Sequence, residues 1–177
     1  RMSKKGMNRR QFLQSSGLAV AGAAAAGTVT MIADPKGAWA LSLDALDRHT
    51  AETLVKVCRQ MYPHDAVGDV YYARVVEALD QKAAADPGVA KLLEGGVTEL
   101  DGTYNIAWLD LSDGHQLEAL KRIESGTFFQ TVRGTTVGTL YNDPLLWRHF
   151  GYEGSSWEYG GYIDRGFDDL GWLPDVS

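Results

Sequence analysis

Apolar residues in the body of this chain recur at helical spacing, and nowhere do they alternate with the period of two that a half-buried strand needs. That property points to an all-α fold: one small helical domain whose core is filled by helix stripes. Ser42 or Asp44 is placed to cap a first helix that runs to about Met61, with Leu46, Leu54, Cys58 and Met61 near one face. Tyr62-Pro63-His64-Asp65 closes it, because the residue before a proline is pushed out of the helical region. Asp69 is placed to cap a second helix with the stripe Val70, Ala73, Val75, Val76 and Leu79. Asp86-Pro87 supplies a cap and a first-turn proline for a third, short helix. Gly95-Gly96 ends that helix, and residues 96–105 read as loop. Ser112 caps a fourth helix, with Leu117, Leu120 and Ile123 toward the core, and Ser125-Gly126 interrupts it. A fifth run, 127–141, carries Phe128, Phe129, Val132, Val137 and Leu140, and Asp143-Pro144 opens a last turn through residue 150. Gly134 and Gly138 stand four apart inside the fifth run. Each costs about 1 kcal/mol there relative to alanine. Such a pair marks a close approach, either by another helix of this domain or by a partner.

The first forty residues read differently. Asn8-Arg9-Arg10-Gln11-Phe12-Leu13-Gln14 follows a short basic start, with Arg9 and Arg10 paired and Phe12-Leu13 after one spacer. An Ala/Gly-rich apolar stretch fills 18–31, and Ala38-Trp39-Ala40 has the small-x-small form that a signal peptidase cleaves. The order of these features is that of a twin-arginine export signal. The apolar stretch is too short and too glycine-rich for a good membrane helix. The expected layout is therefore a signal over 1–40, a helical domain over 41–150 and a tail over 151–177. The expected location is the periplasm, reached already folded, with no transmembrane segment in the mature chain.

Removing residues 1–40 of the 177 leaves 137, enough for one core and too few for two. Those forty residues hold six of the 17 Lys+Arg and one of the 23 Asp+Glu, so 11 basic and 22 acidic residues remain, a net charge of −11. A balance that acidic argues against nucleic acid and anionic lipid as partners. Cys58 is the only cysteine, so no internal disulfide can form even in an oxidising compartment. Its setting, Leu54-Val55-Lys56-Val57-Cys58, is that of a buried thiol in a core helix.

The tail concentrates Tyr152, Trp157, Tyr159, Tyr162, Phe167 and Trp172 among glycines and has no helical period. It is too aromatic for a disordered segment. Such a segment lies against its own domain or against a partner, and these six aromatics are the expected partner contacts.

Residue types that carry chemistry are sparse. No haem-attachment motif, dinucleotide fingerprint, phosphate loop or nucleophile elbow occurs, and one cysteine cannot hold an iron–sulfur cluster. The four histidines, His49, His64, His115 and His149, show no metal-ligand spacing. The best polar cluster is His64-Asp65 with Asp69, which is either a capped turn or part of a metal or acid–base site. Asp164-Arg165 and Asp168-Asp169 in the tail read as solvated or interface-pairing charges rather than a cation site. The twin-arginine route commonly carries folded, cofactor-loaded proteins, yet no cofactor site is legible in this chain. A cofactor held by a partner that crosses with it resolves the contradiction.

Several segments bear on that partner: Tyr62-Pro63-His64-Asp65, Leu100-Asp101, Gly126-Thr127-Phe128-Phe129-Gln130-Thr131-Val132-Arg133, Thr139-Leu140-Tyr141-Asn142-Asp143-Pro144, Gly160-Gly161-Tyr162 and Trp172-Leu173-Pro174. In this order, behind a twin-arginine signal, the chain resembles the small subunit of periplasmic flavin dehydrogenases of the gluconate 2-dehydrogenase subunit 3 type. The resemblance spans most of the chain from Leu46 to Trp172. It implies an accessory subunit with no catalytic, cofactor-binding or metal-binding residue of its own. The partner it implies is a large FAD-bearing subunit of the glucose–methanol–choline oxidoreductase type, acting on gluconate, another sugar or a glucoside at the 3 position. It further implies a role in folding and exporting that subunit, and electron exit through a c-type cytochrome carrying haem c. The alternatives are a small periplasmic metal-binding protein or enzyme using His64, Asp65 and Asp69, and a solitary sugar-binding module using the tail aromatics.

Overall fold

The computed structural model describes residues 30–33 and 40–163. Within them the fold is all-α, six helices with a two-stranded hairpin at the N-terminal edge. The strands β1 (Thr30–Ala33) and β2 (Ala40–Leu43) pair antiparallel, Thr30 opposite Leu43 and Ala33 opposite Ala40. Four-residue strands leave too little pattern for a period of two to register, which is why the sequence reads as helix alone. Ile32 of β1 and Leu43 of β2 are both buried in the main core. β1 lies upstream of the expected cut after Ala40, so a chain processed there keeps β2 without its pairing strand.

Helix α1 (Arg48–Met61) starts later than expected. Ser42 belongs to β2, and the amide of Asp44 donates to Asp80 Oδ2 at 2.9 Å, so neither caps the helix. Asp47 does, its carboxylate accepting from the amide of Thr50 at 2.9 Å and from the Thr50 hydroxyl at 2.8 Å. Leu54 and Cys58 are buried as their helical spacing requires, Leu46 is buried from the loop before the helix, and Met61 at its end is only partly buried.

Helix α2 (Asp69–Ala85) is the centre of the domain and packs on α1 and β2. It also packs on α3 (Pro87–Gly102) and α5 (Thr127–Leu140). That placement needs a wide apolar face, and Tyr72, Ala73, Val75, Val76, Leu79 and Ala83 provide it. Val70 is exposed instead of joining the stripe, and Gly68 holds the cap position, with Asp69 the first helical residue.

The largest departure lies in α3. Asp86 and Pro87 start it as expected, but the helix runs straight through Gly95-Gly96 to Gly102. Leu93, Gly96, Val97 and Leu100 fall at helical spacing on one buried face, so tertiary packing overrides the local cost of two glycines. Helix α4 (Asp113–Arg122) is capped by Ser112, and a turn ending at Gly126 separates it from α5. Asp143 caps the short α6 (Pro144–Trp147), with Pro144 in its first turn. Trp108 is fully buried between α3 and α4, its backbone amide on Asp101 Oδ1 at 2.7 Å and its indole N–H on the carbonyl of Gln116.

Candidate functional site

The His64-Asp65-Asp69 turn is built as a structural joint. The guanidinium of Arg59 spans it, with Nε on Asp69 Oδ1 at 2.6 Å and Nη2 donating to the carbonyl of Val67 at 2.9 Å. Nη1 reaches the carbonyl of His64 at 3.3 Å. Nε2 of His64 shares a hydrogen bond with the Tyr141 hydroxyl at 2.7 Å, and Asp65 stays exposed. The three side chains therefore face three different partners or solvent. Among the described residues no group of three His, Cys, Asp or Glu side chains is placed to hold a metal ion. The turn nevertheless joins two distant segments. Tyr62 and His64 each meet the ring of Tyr141 edge-on, at 5.9 and 5.8 Å between centroids, and Phe150 packs on both His64 and Tyr141. Burial pushes the Tyr141 phenol above its ordinary value.

That aromatic cluster is the root of the tail. Trp147 donates its indole N–H to the carbonyl of Tyr141 at 2.8 Å and meets Tyr152 edge-on. Gly151, Gly154, Gly160 and Gly161 all take positive φ, which glycine adopts without strain. The chain thereby turns back repeatedly and projects its rings outward. Trp157 is 87% exposed, Tyr162 62%, Tyr159 55% and Tyr152 51%, with Ile163 at 80% beside them. No apolar residue of 151–163 enters the buried core. Phe167 and Trp172 lie outside the described residues, as do Asp164, Arg165, Asp168, Asp169 and the export residues Arg9, Arg10, Phe12 and Leu13.

A second feature is absent from the sequence reading. The C-terminal ends of α1 and α4 and the first half of α5 enclose an open cleft of about 580 Å³. Met61, Tyr62, Leu117, Leu120 and Phe129 line it with apolar surface, and Lys121, Glu124 and Arg133 stand among them. Leu117, expected in the core, is 40% exposed here. Gly134 and Gly138 follow on α5, and a methyl group added to either would meet nothing within 4 Å. The close approach expected at these glycines is therefore not made by any described part of this domain. The position that does show one is Gly96, against the ring of Phe128.

Cys58 is fully buried on α1, and its sulfur accepts from the Thr136 hydroxyl at 3.3 Å. Burial pushes the thiol up to about 12, so it is neither nucleophilic nor accessible in the folded chain. Among the described helices none is long and apolar enough to cross a membrane. No family model, curated protein or solved structure matches the chain.

Proposed function

We propose that this chain is a non-catalytic accessory subunit of a periplasmic FAD-dependent sugar or polyol dehydrogenase. In this reading it folds with the flavin subunit, carries it through the twin-arginine route and stays bound to it. The flavin subunit holds FAD, and a c-type cytochrome accepts the electrons. The observation that carries the reading is the row of outward-facing aromatic rings from Tyr152 to Tyr162, set apart from a core that is complete without them. Contiguous exposed aromatic surface on a small domain marks a protein interface, because Tyr and Trp bury large areas at little rotamer cost. The twin-arginine pattern and the family resemblance supply the kind of partner.

Export provides the test. Replacing Arg9 and Arg10 by lysine keeps the charge and abolishes twin-arginine recognition. The expected result is that flavin-subunit activity leaves the periplasm together with this chain. A flavin subunit that still reached the periplasm at the normal level would overturn the carrier role. Bound metal in the purified chain, measured by elemental analysis, would instead support a metal protein.

A further inference from the structure

The cleft between α1, α4 and α5 has a charge pattern opposite to that of the chain around it. The chain carries a net −6, and four of the ten Lys and Arg residues of 41–150 have a carboxylate within ion-pair distance among the described residues. Arg48 pairs with Glu52, Lys56 with Asp113, Arg59 with Asp69 and Arg74 with Asp143. Lys121 and Arg133, both exposed at the cleft, have no carboxylate within ion-pair distance among the described residues, and Glu124 is the one acidic residue in the lining. The same lining presents apolar surface from Met61, Tyr62, Leu120 and Phe129, with Leu117 40% exposed. Val137, 39% exposed, continues that surface along α5.

We infer that this cleft is a second docking surface for the flavin subunit, and that it receives an acidic segment carrying apolar side chains. The inference rests on the accessory-subunit reading. The apolar floor takes the segment's apolar side chains, and the two uncommitted cations take its carboxylates. The open glycines of α5 allow a second backbone to come close just beyond Arg133. The tail also begins beside this cleft: Phe150 packs on Tyr141, and Tyr141 packs on Tyr62 in the cleft wall, at centroid separations of 5.5 and 5.9 Å. One partner can therefore cover the cleft and the tail root together.

Photocrosslinking in the intact complex tests this. Benzoylphenylalanine is placed at Leu117 in one variant and at Trp157 in another, each in the full chain co-expressed with the flavin subunit. The crosslinked peptides are mapped by mass spectrometry. Both positions are expected to capture the flavin subunit, and position 117 to mark a segment with acidic and apolar residues. In parallel, Lys121→Glu with Arg133→Glu should weaken the purified complex tenfold or more at low salt and remove most of its salt dependence. Lys121→Gln with Arg133→Gln should weaken it less. All these side chains are exposed, and circular dichroism confirms the fold. Capture of the flavin subunit from 157 alone, capture of a second copy of this chain from 117, or unchanged affinity on charge reversal would each overturn the inference and leave the accessory role standing. Failure of both positions to capture the flavin subunit would overturn the accessory role itself.

Discussion

The ring of Phe128 on α5 lies so close over Gly96 on α3 that a methyl group at Gly96 would overlap its Cγ and Cδ2 atoms. The glycine that looked like the end of a helix is thus the point where two helices touch. Alanine there gains helix propensity worth about 1 kcal/mol. It also forces the ring or the helix to move, at a cost of about 1–3 kcal/mol and sometimes more. Gly96→Ala is expected to destabilise the chain overall. Gly134→Ala and Gly138→Ala, with open space around them, are expected to stabilise it by about 0.5–1 kcal/mol each. Urea unfolding of the three variants checks the order, and a stable Gly96→Ala would mean that the helices are not in contact at this point.

Asp80 carries the N-terminal arm. Its carboxylate is nearly fully buried on α2 and accepts three backbone amides, from Asp44 at 2.9 Å, Ala45 at 3.0 Å and Leu46 at 2.9 Å. These bonds position the loop between β2 and α1. Asp80→Ala removes the acceptor for all three donors at once. The expected loss is about 3 kcal/mol, since bonds to a charged group contribute roughly 1.5–3 kcal/mol each and do not add in full. Asp80→Asn keeps one acceptor oxygen and should recover only part of it. Denaturant midpoints measure both, and an Asp80→Ala variant as stable as the wild type would show that water replaces the carboxylate freely.

What the sequence reveals and what it hides separates along physical lines. Asp86-Pro87, Ser112 and Asp143-Pro144 are caps whose bonds are made within three residues, and the structure places them as the local rules require. Buried Leu54 and Cys58 on α1 and Phe128, Val132 and Leu140 on α5 follow from periodicity in the same way, whereas Val137, expected in the α5 stripe, is 39% exposed because no described helix covers that side of α5. The continuation of α3 through Gly96 depends on Phe128, 32 positions away, and no local rule can see it. Asp80 reads as one more polar residue on a helix until the loop at 44–46 folds over it. The spacing of Leu117 fits the core stripe of α4, but the neighbouring helices leave that side of α4 open as a cleft. Composition marks the tail as a segment that must lie against its own domain or a partner, and only the structure shows that Tyr152, Trp157, Tyr159 and Tyr162 are exposed.

Cys58 makes the stability depend on alkaline pH with a definite sign. Its ordinary value is 9.0, and burial raises it to about 12 in the fold. Between those limits the unfolded chain releases a proton that the folded chain keeps, so stability falls as pH rises through that window. The thiol's contribution is complete below pH 9.0 and is lost by about 12. The slope from one such group is roughly 1.4 kcal/mol per pH unit at most. Cys58→Ala should cost about 1 kcal/mol or somewhat more at neutral pH, as small cavities do, and should flatten the alkaline slope. Tyrosines that titrate in the same range are present in both proteins, so the difference between the two curves isolates the thiol. Equal slopes, or a Cys58-dependent band at the mass of a complex on a non-reducing gel, would contradict a buried thiol.

Trp157 separates binding from folding most cleanly. Its side chain is 87% exposed, so truncating it removes almost no contact within the chain. Trp157→Ala should leave the unfolding midpoint within about 0.5 kcal/mol of the wild type, the range of ordinary surface changes. If the ring is an anchor in the flavin subunit, the same substitution should weaken the complex by roughly 2 kcal/mol or more. Tyr162→Ala is expected to act in the same direction. Ending the chain after Phe150 goes further: among the described residues it keeps every buried apolar one, because the last of these is Leu146. What it loses inside the chain includes the packing of Tyr152 and Gly154 on Trp147 and the hydrogen bond from the Tyr152 amide to the Trp147 carbonyl. The truncated chain is therefore expected to remain helical by circular dichroism while losing most of its affinity for the flavin subunit. Unfolding of the truncated chain would assign the tail to this domain's own stability. A folded truncated chain that bound at full affinity would shift the whole interface onto the helices, where the cleft beside Leu117, Lys121 and Arg133 would have to carry it alone.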